Sequence, residues 1–208
     1  MKVILNLLIQ LLLISNSFGQ IDFEADAPSM IKPSALSYRL DSTFSLDKSY
    51  DFEFRLWTSP SLTDYTNVFI LALKNNVWSA KFYEYNPYQK AVFTETILRQ
   101  SKIDKLWERL VENHILVLPP HDSLRSRMKI FIADTSGVLE EDGMYKKVLM
   151  TDGTRYQFEL SKKDKKRSYY YHCPGSYLKH YPNIEELYQA YSIIILIRHF
   201  IGLTLDEC

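Results

Sequence analysis

Five of the six residues from Lys162 to Arg167 are basic, and three tyrosines, His172 and Cys173 follow directly (SKKDKKRSYYYHCP, residues 161–174). Three chemistries could arise here: docking on an anionic surface, a thiol or metal site, or nothing beyond a charged turn. Each Lys or Arg against an anionic surface could contribute about 1 kcal/mol. However, the stretch is flanked by residues that alternate like strands, and a loop tip keeps lysines hydrated at no cost. We therefore read a charged hairpin tip. In a strand, Tyr169 and Tyr171 leave one face while Tyr170 and His172 leave the other, so the tyrosines form no single adhesive surface.

His172, Cys173 and His180 have no common zinc-ligand spacing, and a fourth ligand is missing. His114 suits a helix C-terminus, where its charge would meet the dipole; His121 reads as exposed. Glu140-Glu141-Asp142 read as a solvated turn. Signatures of hydrolases, phosphate loops and dinucleotide folds are absent. No catalytic, cofactor-binding or metal residue is assigned, and the reading is of an exported cell-envelope protein that is not an enzyme and acts, if at all, by binding; a hydrolase whose residues meet only in three dimensions is an alternative. Tyr83, Tyr85 and Tyr88 remain. Exposed rings in a row could stack on a glycan or pack on a peptide or envelope protein; a helix over that face would make them core instead.

Cys173 and Cys208 are the only cysteines. A bridge between them would close a loop worth roughly 3–4 kcal/mol in the chain-entropy picture; two unpaired thiols are the alternative.

The chain opens with Lys2, an apolar run from Val3 to Ile14, and small residues Ser17 and Gly19. That is the layout of a signal peptide cleaved after Gly19. The apolar run is too short to span a bilayer, so no transmembrane anchor is expected after cleavage. Export to the periplasm or beyond follows, where a disulfide would persist. The formal charge is zero for the whole chain, and −1 once Lys2 is removed with residues 1–19, which gives no reason to expect nucleic acid as a partner. The chain carries 15 tyrosines, 11 phenylalanines and three tryptophans against six glycines, which favours a strand-rich body.

The elements that must position these residues follow from hydrophobic period. Residues 20–48 show no clear periodicity and read as an irregular leader. Strands are expected over 51–57, 68–73, 77–85 and 91–98, joined in an antiparallel meander with a tight Asn75-Asn76 turn. Ile103, Leu106, Trp107, Leu110 and Val111 give one helical stripe, with Ser101 as its cap. Further strands are expected over 128–133, 144–150, 155–160 and 168–172, with Asp152-Gly153 as a hairpin turn. Asn183 and Glu186 would box the start of a last helix that Gly202 ends. The expectation is an α+β domain over 49–208, antiparallel meanders with two packed helices, divisible into two ββββα halves near residue 120.

Three stretches, FRLWTSPSLTDYTNVFILAL, KIDKLWERLVENHILVLPP and DGTRYQFEL with RSYYYHCP, resemble a family of secreted proteins of Gram-negative bacteria with no assigned activity. The resemblance covers about residues 51–201. It implies an architecture and an exported location, and no catalytic residue.

Overall fold

A computed structural model describes residues 21–26, 35–44, 50–88, 92–96, 98, 101–131, 145–146 and 148–204. The signal-peptide expectation for residues 1–19 lies outside the described residues.

The alternation read between residues 51 and 98 builds strands β1 (Phe52–Pro60), β2 (Thr66–Lys74), β3 (Val77–Asn86) and β4 (Val92–Thr96). Asn75 and Asn76 both adopt positive φ, 51° and 61°, which lets a two-residue turn match the strand twist. Helix α2 (Ile103–Glu112) buries Ile103, Leu106, Trp107 and Leu110. It ends on His114, whose φ of 59° is a role glycine usually takes. The His114 amide donates to Val111 and the Ile115 amide to Leu110, closing the helix.

A single turn of 3₁₀-helix (His121–Leu124) and two short strands, β5 (Ile130–Phe131) and β6 (Tyr145–Lys146), follow. Then come β7 (Thr154–Lys162), β8 (Lys165–His172), and helices α3 (Pro174–His180) and α4 (Glu185–Phe200).

The fold is α+β, as expected, but its two halves are not separate meanders. β7 pairs antiparallel with β1, so six strands form one antiparallel sheet ordered β4-β3-β2-β1-β7-β8, while β5 and β6 pair only with each other. Asp152-Gly153 joins no hairpin between β6 and β7. Instead the Ser61 amide donates to the Gly153 carbonyl, tying that turn to the end of β1. The basic run also lies partly within the strands: β7 and β8 turn through Lys163 and Asp164 alone.

Most of the core lies on one face. Phe52 and Trp78 meet Trp107 of α2 at 5.0 and 4.8 Å between ring centroids, and Phe69 meets Phe200 of α4 at 6.0 Å. α3 crosses close to α4: a Cβ on Gly175 would sit 2.6 Å from Tyr191, so the approach needs a glycine. Neither Ser101 nor Asn183 caps a helix. The N-cap positions are Lys102 and Ile184, without side-chain cap bonds. Gly202 does end α4, at a φ of 76°.

The leader is part of the body. Helix α1 (Ala35–Phe44) lies on the opposite face of the sheet, where Leu36, Leu40 and Phe44 cover Trp57, Val68, Ile70, Tyr83, Tyr85 and Phe93. Residues 21–26 run beside β8, the sheet's outermost strand. The Asp26 amide donates to Lys166, the Ser168 amide donates to the Asp26 carboxylate, and Phe23 is buried against Phe52. An otherwise open strand edge, a template for wrong pairing, is thereby occupied. Lys162 and Lys165 serve the same strap, donating to the Ile21 carbonyl and pairing with Asp22.

Candidate functional site

The tyrosine surface read from the sequence does not form. Tyr83 is fully buried and Tyr85 is 8% exposed, both under α1, where Phe44 lies 4.5 Å from the Tyr83 ring and Arg39 donates to the Tyr85 hydroxyl. Only Tyr88 is exposed, at 70%, beside Tyr65 and with its hydroxyl on Asp64. The reason lies in the leader: Leu36, Leu40 and Phe44 are spaced i, i+4, i+8, a stripe that supplies the covering helix.

Cys173 is buried and carries no free thiol, being disulfide-bonded; Cys208 lies outside the described residues. His180 is exposed, and no cluster of metal-ligating side chains forms among the described residues. Glu140, Glu141 and Asp142 also lie outside them.

Instead, two of the three consecutive tyrosines, Tyr169 and Tyr171, prove to be brackets. The Tyr169 hydroxyl donates to Ile115 and the Tyr171 hydroxyl to Pro119, each at 2.7 Å, and Arg167 donates to the carbonyls of Leu116 and Leu118. These side chains bind the Ile115–Pro120 stretch, whose two prolines lack amide donors, along the sheet. The stretch delivers His121 to the end of β8.

His121 is not exposed, contrary to the sequence reading; it is 4% exposed. Its ring meets Tyr177 edge-on at 5.0 Å and Tyr171 at 5.8 Å, and lies nearly parallel to Tyr170 at 6.3 Å. Its Nδ1 has no hydrogen-bond partner among the described residues. Burial lowers the imidazole pKa from 6.5 to about 4, with Asp122 opposing and Arg125 and His172 adding to the drop. The ring is thus neutral at pH 7.

Around it lies a cleft of about 380 Å³. On one wall the β7–β8 register sets Arg155 opposite His172, and Gln157 opposite Tyr170. The Arg155 guanidinium sits 4.2 Å from the Tyr170 ring centroid. Tyr170 donates to one oxygen of Asp122 at 2.8 Å, and Arg125 pairs with the other at 2.7 Å. The opposite wall is apolar: Met128, Val148, Leu149 and Met150. Its backbone hangs on two tyrosines, the Val148 amide on the Tyr181 hydroxyl and the Met150 amide on that of Tyr177. His172 Nε2 lies 3.1 Å from the Met150 carbonyl, and since a carbonyl only accepts, that nitrogen carries the proton.

A second cleft, also about 380 Å³, lies between α1 and the sheet. Arg55 is buried there, bonded through Nε to Glu53 and through Nη1 to Asp41, each at 2.8 Å. Glu159, opposite Arg55 in the β1–β7 register, accepts from Gln157 at 3.0 Å, and burial raises its carboxyl pKa.

Sequence reasoning placed Tyr170 and His172 on one face but could not bring His121, Arg155 and Tyr177 to them; they come from three separate elements, and no local pattern marks them. No protein-family model matches the sequence, and no characterised protein matches it.

Proposed function

We propose that this is an exported, non-catalytic protein of the cell envelope that acts by binding, with the His121 cleft as its binding site. The observation that carries the reading is His121 itself: a buried imidazole whose Nδ1 has no partner among the described residues, lining a concave site. An unsatisfied buried polar atom costs roughly 1–3 kcal/mol, and a folded protein keeps few of them without a reason. The cleft's volume falls within the range of small-molecule sites, and its lining joins apolar walls to a few placed polar groups. Among the described lining residues the polar side chains are two arginines, two histidines and two tyrosines, a set suited to holding a ligand. Export draws on the opening 19 residues and on the bonded state of Cys173. Among the described residues, no helix is long and apolar enough to cross a membrane.

Two measurements test this. Intact mass of the protein from its native host should give a chain beginning at Gln20; a chain retaining Met1 would remove export. Heteronuclear NMR titration against a small-metabolite library should give hits whose shifts cluster on His121, Tyr170, His172 and Tyr177. Hits clustering under α1, or no hit at all, would remove the cleft as the site.

A further inference from the structure

We infer that the ligand of this cleft is a small amphipathic oxyanion, its carboxylate or phosphate head at Arg155 and its apolar body against Val148, Leu149, Met150 and Tyr177. The inference rests on the proposal that this cleft is the binding site, and adds the chemistry of what enters it.

Charge comes first. The formal charge of the whole chain is zero. The cleft departs from that balance: two arginines and two histidines line it, and among the described residues no Asp or Glu does. One arginine is already neutralised, because Arg125 pairs with Asp122, whose second oxygen accepts from Tyr170. Arg155 differs. Among the described residues it has no carboxylate partner, and it sits over the Tyr170 ring. Stacking on an aromatic face fixes a guanidinium while leaving its edge N–H groups free, the geometry that grips a carboxylate or phosphate in bidentate fashion. A guanidinium set on a ring, facing a concavity and without an acid among the described residues, is a receptor for an oxyanion.

The polar groups beside Arg155 agree with a head rather than a second charge. His172 commits Nε2 to the Met150 carbonyl. His121 is neutral and more than nine-tenths buried, with an unused nitrogen, so it offers hydrogen bonding without competing for the anion's charge.

The rest of the cleft sets the body. Met128 is buried, Leu149 is 78% exposed at the lip, and Val148 and Met150 lie between them, a continuous apolar wall facing the Tyr177 ring. A bare inorganic anion would leave this wall wet. An alkyl or aromatic body would cover it, at about 25 cal/mol for each Å² removed from water.

The test compares four probes of one body length: octanoate, octyl phosphate, octanol and octylamine, titrated into the mature chain and followed by the ring-proton resonances of His121 and His172. Octanoate or octyl phosphate should bind at least tenfold more tightly than octanol, and octylamine most weakly; the tighter of the two anions names the head. Oxyanion affinity should fall with added salt. Arg155→Met should reduce oxyanion affinity roughly tenfold while leaving octanol binding unchanged, and Arg155→Lys should restore part of it. Equal affinity for octanoate and octanol at these resonances would overturn the oxyanion while keeping the cleft. Octanoate that binds but shifts only residues elsewhere would overturn the cleft itself. Failure of all four probes to bind would overturn the amphipathic ligand.

Discussion

The two clefts are matched in volume and opposite in state. Under α1, three carboxylates surround one buried arginine, and the charges answer one another: Arg55 is bonded to Glu53 and Asp41, and Glu159 is held by Gln157. At the His121 cleft the polar groups do not close on themselves. Arg155 rests on a ring without an acid, and a buried imidazole nitrogen has no partner among the described residues. By charge alone the first would draw attention, since a carboxyl raised by burial near one held ionised is how a hydrolase separates acid from base. The comparison teaches that density of charge is a poor sign of a site. Capacity left unused after the fold has satisfied itself is a better one.

Breaking the first cleft should have the largest effect. Arg55→Met removes the buried cation bonded to Glu53 and Asp41 and facing Glu159, leaving among the described residues only Lys163, Lys166 and Arg167 elsewhere on the cleft's lining. Removing one partner of a buried ion pair costs about 3–5 kcal/mol, mostly from the charges left behind. Urea denaturation at pH 7 should show that loss, and part of it should return on acidification as Glu159, whose carboxyl pKa burial already raises, takes up a proton. A loss under about 1 kcal/mol would mean that water screens the cluster, and the contrast between the clefts would fail.

How much of this contrast could be read from the sequence depends on distance along the chain. The β1–β4 meander and the Asn75-Asn76 turn were legible because alternation and turn chemistry are local. The Leu36, Leu40, Phe44 stripe was present but sits among Ser, Asp and Thr, residues that favour caps and turns, so its helical period was hidden. Pairing of β1 with β7 joins residues about a hundred positions apart, and no local signal reports it. The His121 cleft inherits that difficulty twice. Arg155 reaches the sheet only through this pairing, and His121 arrives only because Tyr169, Tyr171 and Arg167 hold the preceding segment. Each residue looks ordinary alone, as His121 did when its place after two prolines suggested exposure. The same holds for the basic run: its lysines were legible as a hairpin, but their use in pinning residues 21–26 was not.

An effect of intermediate size should come from His121. Its folded-state pKa, about 4, lies below the 6.5 of an unfolded histidine, so the unfolded chain takes up the proton first. The stabilisation is present above pH 6.5 and is lost as pH falls from there through about 4. Discounted for water in the cleft, the loss is about 2 kcal/mol. Since Asp122, Arg125 and His172 also act on this ring, the difference between wild type and His121→Phe isolates it: the variant's stability should change less over that pH range. Parallel curves for the two proteins would show an imidazole that meets solvent freely, and the buried-nitrogen argument would fall with it.

The smallest effect should come from Arg155→Met, and its smallness sharpens the comparison most. Arg155 is exposed, makes no ion pair among the described residues, and contributes to the fold chiefly a contact with the Tyr170 ring. Methionine keeps an apolar side chain over that ring, so urea denaturation should shift by less than about 1 kcal/mol, the scale of an exposed cation–π contact. Arg55→Met and Arg155→Met make the same chemical change on adjacent strands of one sheet. If one costs several kcal/mol and the other almost none, then Arg55 is committed to the fold and Arg155 is free for a ligand. A loss of 3 kcal/mol or more from Arg155→Met would place that guanidinium in the structure's own bonding, and the second cleft would be as closed as the first.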